Sequence, residues 1–174
     1  MFLLLANGGH GAALRAGLDA ARGETLLLLD SDRQISLEAF ATHWAHLHDQ
    51  GLDALLGIRA PRHDPPLRLV ITRIMRALIR LRFGRSPKDG GVPYKLIQRA
   101  IWKEMAPHIR SDAAIPSVLL AILLLNNPRA SVEEVRVEHR ARTSGRSVLR
   151  WRRLWNLCRE ATRDILSLPP RIDP

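Results

Sequence analysis

Along the hydrophobic pattern, one short apolar run ends abruptly in two carboxylates: Leu26-Leu27-Leu28-Leu29, then Asp30-Ser31-Asp32-Arg33-Gln34. A short continuous run bounded by polar residues reads as a strand buried on both faces, of the kind found in sheets covered by helices. Upstream, Phe2 to Ala6 reads as a second short strand, followed by an Asn7-Gly8-Gly9 turn. From His10 to Arg22 the apolar period lengthens. Ala13, Leu14, Gly17, Leu18 and Ala21 make one helical stripe, and Gly23 closes it.

Downstream the same two periods alternate. Ser36 is a candidate N-cap for a helix to about Gln50, with Phe40, Trp44 and Leu47 facing inward. Asp53 to Arg59 reads as a strand. Leu67 to Phe83 reads as a helix with Leu67, Val70, Ile71, Ile74, Met75, Leu78 and Leu81 as its apolar set. Arg73, Arg76 and Arg80 fall opposite, and Arg68 and Thr72, four apart, share a third edge. A strand over Val92–Gln98, a short helix over Arg99–Met105, a helix over Ala113–Leu125 and a strand over Val132–His139 follow. Trp151 to Leu168 is a basic helix carrying Trp151, Leu154, Trp155 and Cys158. Strands alternating with helices predict an α/β fold.

Composition narrows the class. A chain of 174 residues with 46% hydrophobic content can bury a real core. Its net charge of +10, nearly all from arginine, points to anionic partners: nucleic acid, lipid headgroups or phosphorylated substrates. The single cysteine, Cys158, excludes an internal disulfide and suggests a reducing compartment. No apolar run approaches the ~20 residues of a membrane span, and Met1-Phe2-Leu3-Leu4-Leu5 is too short for a signal peptide.

Chemistry gathers at the end of the leucine strand. In open α/β sheets, ligands bind at the carboxyl ends of strands. Asp30 and Asp32, one residue apart, repel unless a cation lies between them. A hard cation, Mg²⁺ or Mn²⁺, suits one or two carboxylates plus substrate phosphates, and Gln34 can add a carbonyl or hold a metal-bound water. The plainer alternative is a solvated turn. The glycine-rich turn at Asn7–Gly9 either binds phosphate at a helix N-terminus or simply lets the helix lie close to the sheet. His43, His46 and His48 share no single helix face, which favours solvation over a metal site. The cationic helix 67–83 suits an anionic membrane surface, although a solvated charged face has the same period. Asp112 is a candidate N-cap for the helix that follows.

Taken in order, these segments resemble the family 2 glycosyltransferases of the GT-A fold, and within them the polyprenyl- and dolichyl-phosphate sugar transferases. The matching residues are Asn7, Gly9, Ala13 and Gly17 in N-x-G-x-x-x-A-x-x-x-G; Asp30, Asp32 and Gln34 in D-x-D-x-Q; Gly57 and Arg59 in G-x-R; and Arg142, Gly145 and Ser147 in R-x-x-G-x-S. Val148 stands where a lysine often follows the last motif. The resemblance covers about residues 3 to 150. It implies a GT-A (Rossmann-like) mixed, mostly parallel sheet flanked by helices, lacking the first nucleotide-binding strands. Two units are expected: residues 1–150 as a truncated transferase domain, and 151–174 as a basic helix suited to membrane association.

The implied reaction moves a sugar, with inversion, from a nucleotide-diphosphate donor to a polyprenyl phosphate. Asp30, Asp32 and Gln34 would hold the metal. Asn7, Gly9, Asp30, Arg142 and Ser147 would bind the donor, with Arg142 and Asp112 as catalytic candidates. Arg59, Arg68 and Thr72 would bind the acceptor phosphate, and the stretch from Asp89 to Leu96 would back its pocket, with Asp89 orienting the loop. The implied partners are a nucleotide sugar, a polyprenyl-phosphate lipid and an anionic membrane surface, with no nucleic acid. The implied location is cytoplasmic, peripheral on the inner face of the cell membrane. The alternatives are a polysaccharide or glycan acceptor, an inactive fragment, or a basic nucleic-acid-binding module.

Overall fold

The computed structural model describes residues 9–31, 33–60, 66–139 and 151–170, leaving out the side chains of 9, 10, 66–68, 70, 151–155 and 157. The elements in chain order are α1 (Gly9–Ala20), β1 (Thr25–Leu29), α2 (Phe40–Asp49), β2 (Ala54–Ala60) and α3 (Pro66–Phe83). They continue with β3 (Tyr94–Gln98), α4 (Arg99–Met105), α5 (Pro116–Asn126), β4 (Val132–Glu138) and α6 (Trp151–Ser167). The strand expected at Phe2–Ala6 lies outside the described residues.

The described strands form one four-stranded sheet in the order β1-β3-β2-β4. The mixed α/β architecture is the expected one; among the described strands, one pair is parallel and two are antiparallel. β3 pairs antiparallel with both β1 and β2, and only β2 and β4 pair in parallel. Three strands still run the same way. The carboxyl ends of β1, β2 and β4 and the start of β3 therefore share one edge of the sheet. The apolar run of β3 could not reveal its direction, because alternation has no polarity.

The main core lies on the sheet face covered by α1, α4 and α5. It joins Leu14 and Leu18 of α1, Leu26 and Leu56 of the sheet, and nearly all of α5. α5 is apolar all round, and its residues from Leu119 to Leu125 are buried, as expected of a central helix. Ile165 of α6 and Leu168, just beyond its end, belong to the same core. On the other face, Leu47 of α2 packs with Leu52, Leu55 and Leu96.

Several local expectations are corrected. α2 begins at Phe40, not after Ser36; the Ser36 hydroxyl instead accepts from the Glu38 N–H in a local turn. Trp44 is exposed, since the single buried stripe of this short helix is used by Leu47. On α3 the half-buried and buried side is Thr72, Met75, Arg76 and Ile79, whereas Ile74, Leu78 and Leu81 face outward. Asp112 caps nothing: α5 begins at Pro116 after Ile115, and the backbone N–H groups of Ala114 and Ile115 donate to the buried Asp164 carboxylate of α6. Gly11 needs its missing side chain for packing, since a Cβ there would run into the Ala113 carbonyl oxygen. Among the described residues no helix is long and apolar enough to cross a membrane.

Candidate active site

The shared sheet edge collects the candidate residues. β1 ends at Leu29, which pairs with Tyr94 at the start of β3, and Asp30 is the next residue. From there the chain swings across the edge. Ile35 forms an isolated antiparallel bridge with His139, and the Ser36 N–H donates to the Glu138 carbonyl at the end of β4. A small apolar cluster of Ile35, Val92, Tyr94 and Val137, with Leu29 against it, supports this loop from below. Arg33 within the loop has φ of 58°, a left-handed conformation that L side chains adopt only under constraint. Asp30 and Ser31 line two open depressions of about 510 and 600 Å³, one beside α1 and one under residues 33–38. Asp32 lies outside the described residues.

Arg59 leaves β2 at the same edge, about two strand spacings, roughly 10 Å, from β1. Its Nε and Nη2 donate to the two oxygens of Asp89 at 2.8 and 2.9 Å. Asp89 is itself buried, so the pair is charge-assisted and shielded from water. Two of the five N–H donors of Arg59 are thus committed to one carboxylate. Gly57, two residues earlier, lets the start of β3 lie close against β2, because a Cβ there would meet Tyr94 atoms at 3.0 Å.

Lys95 was not singled out from the sequence. It is fully buried on β3, opposite Leu28 of β1, and its ammonium donates to the carbonyls of Gly90 and Val92 at 3.0 and 2.6 Å and to the Ser117 hydroxyl at 2.7 Å. Burial pushes its pKa down to about 7, against the pull of the Asp89 and Asp30 carboxylates. Three acceptors for three N–H groups favour the charged form. Lys95 thereby ties down the loop that carries Asp89. The sequence held one sign of it: a lone lysine inside the apolar strand Tyr94–Ile97.

Tyr94 donates to Nδ1 of His43 at 2.9 Å. Burial raises the tyrosine to about 12 and lowers the His43 pKa, with the charge of His46 adding to the latter. A neutral imidazole accepting from a phenol agrees with both shifts. His46 contacts Glu133 at 2.8 Å and His48 lies 3.4 Å from the Thr25 hydroxyl, so the three histidines serve three separate contacts.

Asp112 is fully exposed and gripped by Arg110 through two hydrogen bonds of 2.8 and 2.7 Å. That hydrogen-bonded arginine holds the carboxyl below its ordinary pKa, the opposite of what a general base near neutrality needs. Thr72 lies half-buried on α3, four residues after Arg68, whose side chain is outside the described set. Gly9 opens α1. Asn7, Arg142 and Ser147 lie outside the described residues. Among the described residues, no three His, Cys, Asp or Glu side chains are grouped as a metal cage would require.

Residues 2–105, more than half of the chain, match the profile described as Glycosyl transferase family 2. The chain belongs to that family. Among curated proteins it is similar to the undecaprenyl-phosphate 4-deoxy-4-formamido-L-arabinose transferases of Yersinia pestis (strain Pestoides F) and Yersinia pseudotuberculosis serotype O:3 (strain YPIII). Both are 27% identical over 170 residues, covering 98% of this chain and 50% of the relative. The chain thus spans about half the length of these curated relatives. Among solved structures it is similar to glucosyl-3-phosphoglycerate synthase of Mycobacterium tuberculosis. The complex of that protein with Mn²⁺, UDP-glucose and glycerol 3-phosphate gives a TM-score of 0.61 at 17% identity, covering 92% of this chain and 56% of the other. The complex with Mg²⁺ and UDP gives 0.62 at 16% identity with the same coverage. At such identities the likeness establishes the GT-A fold and no more.

Proposed function

We propose that this family 2 chain serves to transfer a sugar, with inversion, from a nucleotide-diphosphate donor to a polyprenyl phosphate. The observation that carries the reading is Asp30, at the carboxyl end of β1, on the same sheet edge as the Arg59–Asp89 pair. Membership of the family and the likeness to undecaprenyl-phosphate sugar transferases support it.

The donor set suits a divalent cation. Asp30, with Asp32 and Gln34, offers hard oxygen ligands but too few for a protein-only cage, which is the usual situation for a metal shared with substrate phosphates. When bound, Mg²⁺ or Mn²⁺ would supply Lewis-acid neutralisation of the leaving diphosphate. The residues of the chain then position and stabilise. Asp30 and Ser31 line the depressions open to a donor, and Asn7 and Gly9 are assigned to the same donor. Arg142 and Ser147 would donate hydrogen bonds to the diphosphate as its charge grows, an interaction stronger in the transition state than in the ground state. Arg59, fixed by Asp89, with Arg68 and Thr72, would orient the acceptor. An anionic phosphate acceptor is already nucleophilic, so positioning outweighs general-base help. Asp112, ionised and bound by Arg110, has no part in this scheme. We further assign the protein to the inner face of the cell membrane, since Ile74, Leu78 and Leu81 form an exposed apolar strip on α3 next to Arg73 and Arg80.

Calorimetry with Mn²⁺ and UDP tests the donor half. Binding of UDP is expected to depend on Mn²⁺ in the wild type and to fall at least tenfold in Asp30→Asn. Equal binding with and without the metal, or in the variant, removes Asp30 from the site. Transfer of label from a panel of nucleotide sugars to undecaprenyl phosphate, set against glycan acceptors, tests the acceptor half.

A further inference from the structure

The sheet edge opposite Asp30 carries a second concentration of charge. There the end of α1, the turn toward β1 and the exposed side of α4 enclose a depression of about 400 Å³. Its side chains include Leu18, Asp19, Arg22, Arg99, Trp102 and Lys103. The five residues of β1 separate it from Asp30 by roughly 17 Å.

The local fold brings the cations together. β3 runs into α4 without a linker, since Gln98 ends the strand and Arg99 opens the helix. The Arg99 N–H donates to the Glu24 carbonyl at 2.7 Å, which holds the start of α4 against the chain leaving α1. Arg22 stands two residues before Glu24, and Lys103 follows Arg99 by one helical turn.

Three cations face one carboxylate, a surplus of two positive charges. That carboxylate is already engaged. One oxygen of Asp19 accepts from Trp102 Nε1 at 3.0 Å, and the other lies 3.5 Å from Arg15 Nε. Arg22, Arg99 and Lys103 have no hydrogen-bond or ion-pair partner among the described residues. A lone solvated arginine needs none, but like charges gathered on one concave surface repel until an anion lies among them.

The chemistry of that anion is constrained. A phosphate monoester carries about −1.5 to −2 near neutrality, which matches the surplus, and its terminal oxygens suit arginine forks and a lysine ammonium. The volume falls within the roughly 300–1,000 Å³ of small-ligand sites. A nucleic-acid strand binds by stacking bases on exposed rings, whereas Trp102 is only 2% exposed. A lipid headgroup would want exposed apolar residues at its side, and Leu18 is buried too.

We propose that this depression is a binding site for a small soluble phosphate monoester, held by Arg22, Arg99 and Lys103 at the far end of the sheet from the candidate active site. The site goes beyond the transferase reading and does not depend on it.

Calorimetry with methyl phosphate, in EDTA and at fixed ionic strength, tests it. Saturable binding is expected in the wild type. It should weaken at least tenfold when Arg22→Gln and Arg99→Gln are combined, and at least threefold in Lys103→Gln, an exposed position whose loss does not threaten folding. Arg136→Gln combined with Arg159→Gln removes the same charge from exposed positions elsewhere, and should change the affinity less than twofold. Asp30→Asn and Arg59→Gln should likewise leave it within twofold. No saturable binding, equal losses in the two double variants, or binding abolished by Arg59→Gln overturns the proposal. A thymidine oligonucleotide that displaces methyl phosphate from the wild type and fails to bind the Arg22 and Arg99 double variant also overturns it, in favour of a nucleic-acid surface. With the metal excluded, failure here leaves Mn²⁺-dependent UDP binding untouched, and failure of that binding leaves this site standing.

Discussion

At the residue scale, two side chains sit where their environment works against them. Arg33 holds a left-handed backbone in the loop between Asp30 and Ile35. For an L residue other than glycine this costs on the order of 1–2 kcal/mol. Arg33→Gly should therefore leave stability unchanged or raise it by about 1 kcal/mol, read as a shift in the urea midpoint. A clear loss would mean the arginine side chain holds the loop. Lys95 is the second case. Its ordinary pKa of 10.5 falls to about 7 in the fold. Below pH 7 both states hold the proton and the cost of burying the charge is constant. Between about 7 and 10.5 the unfolded chain binds more protons than the folded one, so this group makes stability rise with pH, by at most about 1.4 kcal/mol per unit. Urea melts from pH 6.5 to 10 should show that rise in the wild type and lose it in Lys95→Met. A flat wild-type profile would mean that the three acceptors keep the lysine charged throughout. Asp30 and Arg59 were legible as site candidates because strand ends and charge can be read from sequence. Lys95 and the Asp89 pairing depend on burial and on a neighbour 30 residues away in the case of Arg59, which no local pattern reports.

At the element scale, helix periodicity located α3 but not its orientation. Every α3 position from Leu67 to Leu81 assigned to an apolar stripe fits a 3.6-residue repeat, yet the packed side also takes in Arg76 and Thr72 and releases Ile74, Leu78 and Leu81. The flanking α6, placed by tertiary contact, decides this. Replacing Ile74, Leu78 and Leu81 together by glutamine should leave the melting temperature within about 2 °C, since exposed positions add little to stability. It should also reduce flotation with anionic liposomes several-fold. Liposome binding that survives the triple substitution would place the membrane contact elsewhere, and tight oligonucleotide binding in its stead would favour a nucleic-acid partner. α1 offers the opposite case. Alanine ordinarily favours a helix over glycine by about 1 kcal/mol. Gly11→Ala should nonetheless lower stability by about 1–3 kcal/mol, because its methyl group meets the Ala113 backbone rather than a movable side chain. Thermal denaturation decides the sign.

At the scale of the whole molecule, the alternation of strands and helices was readable from one end of the chain to the other. The reversed β3 and the burial of the α6 end were not, because both are settled by which surfaces meet. The arrangement of the sheet also governs how the molecule reaches its native state. Thr25 pairs with Gln98, Ala54 with Ile97, and Ala54 with Val132. Among the described strands no pair is a hairpin, and each one closes a long loop containing at least one helix. Loop-closure entropy is spent before any of these contacts forms, and topologies of this kind fold slowly, with partly assembled sheets exposed to one another. The two-faced leucine strand β1, with Leu27 still 37% exposed in the finished fold, is the segment most open to intermolecular pairing during that interval. Refolding yield should consequently fall as protein concentration rises, and dilution or low temperature should recover it.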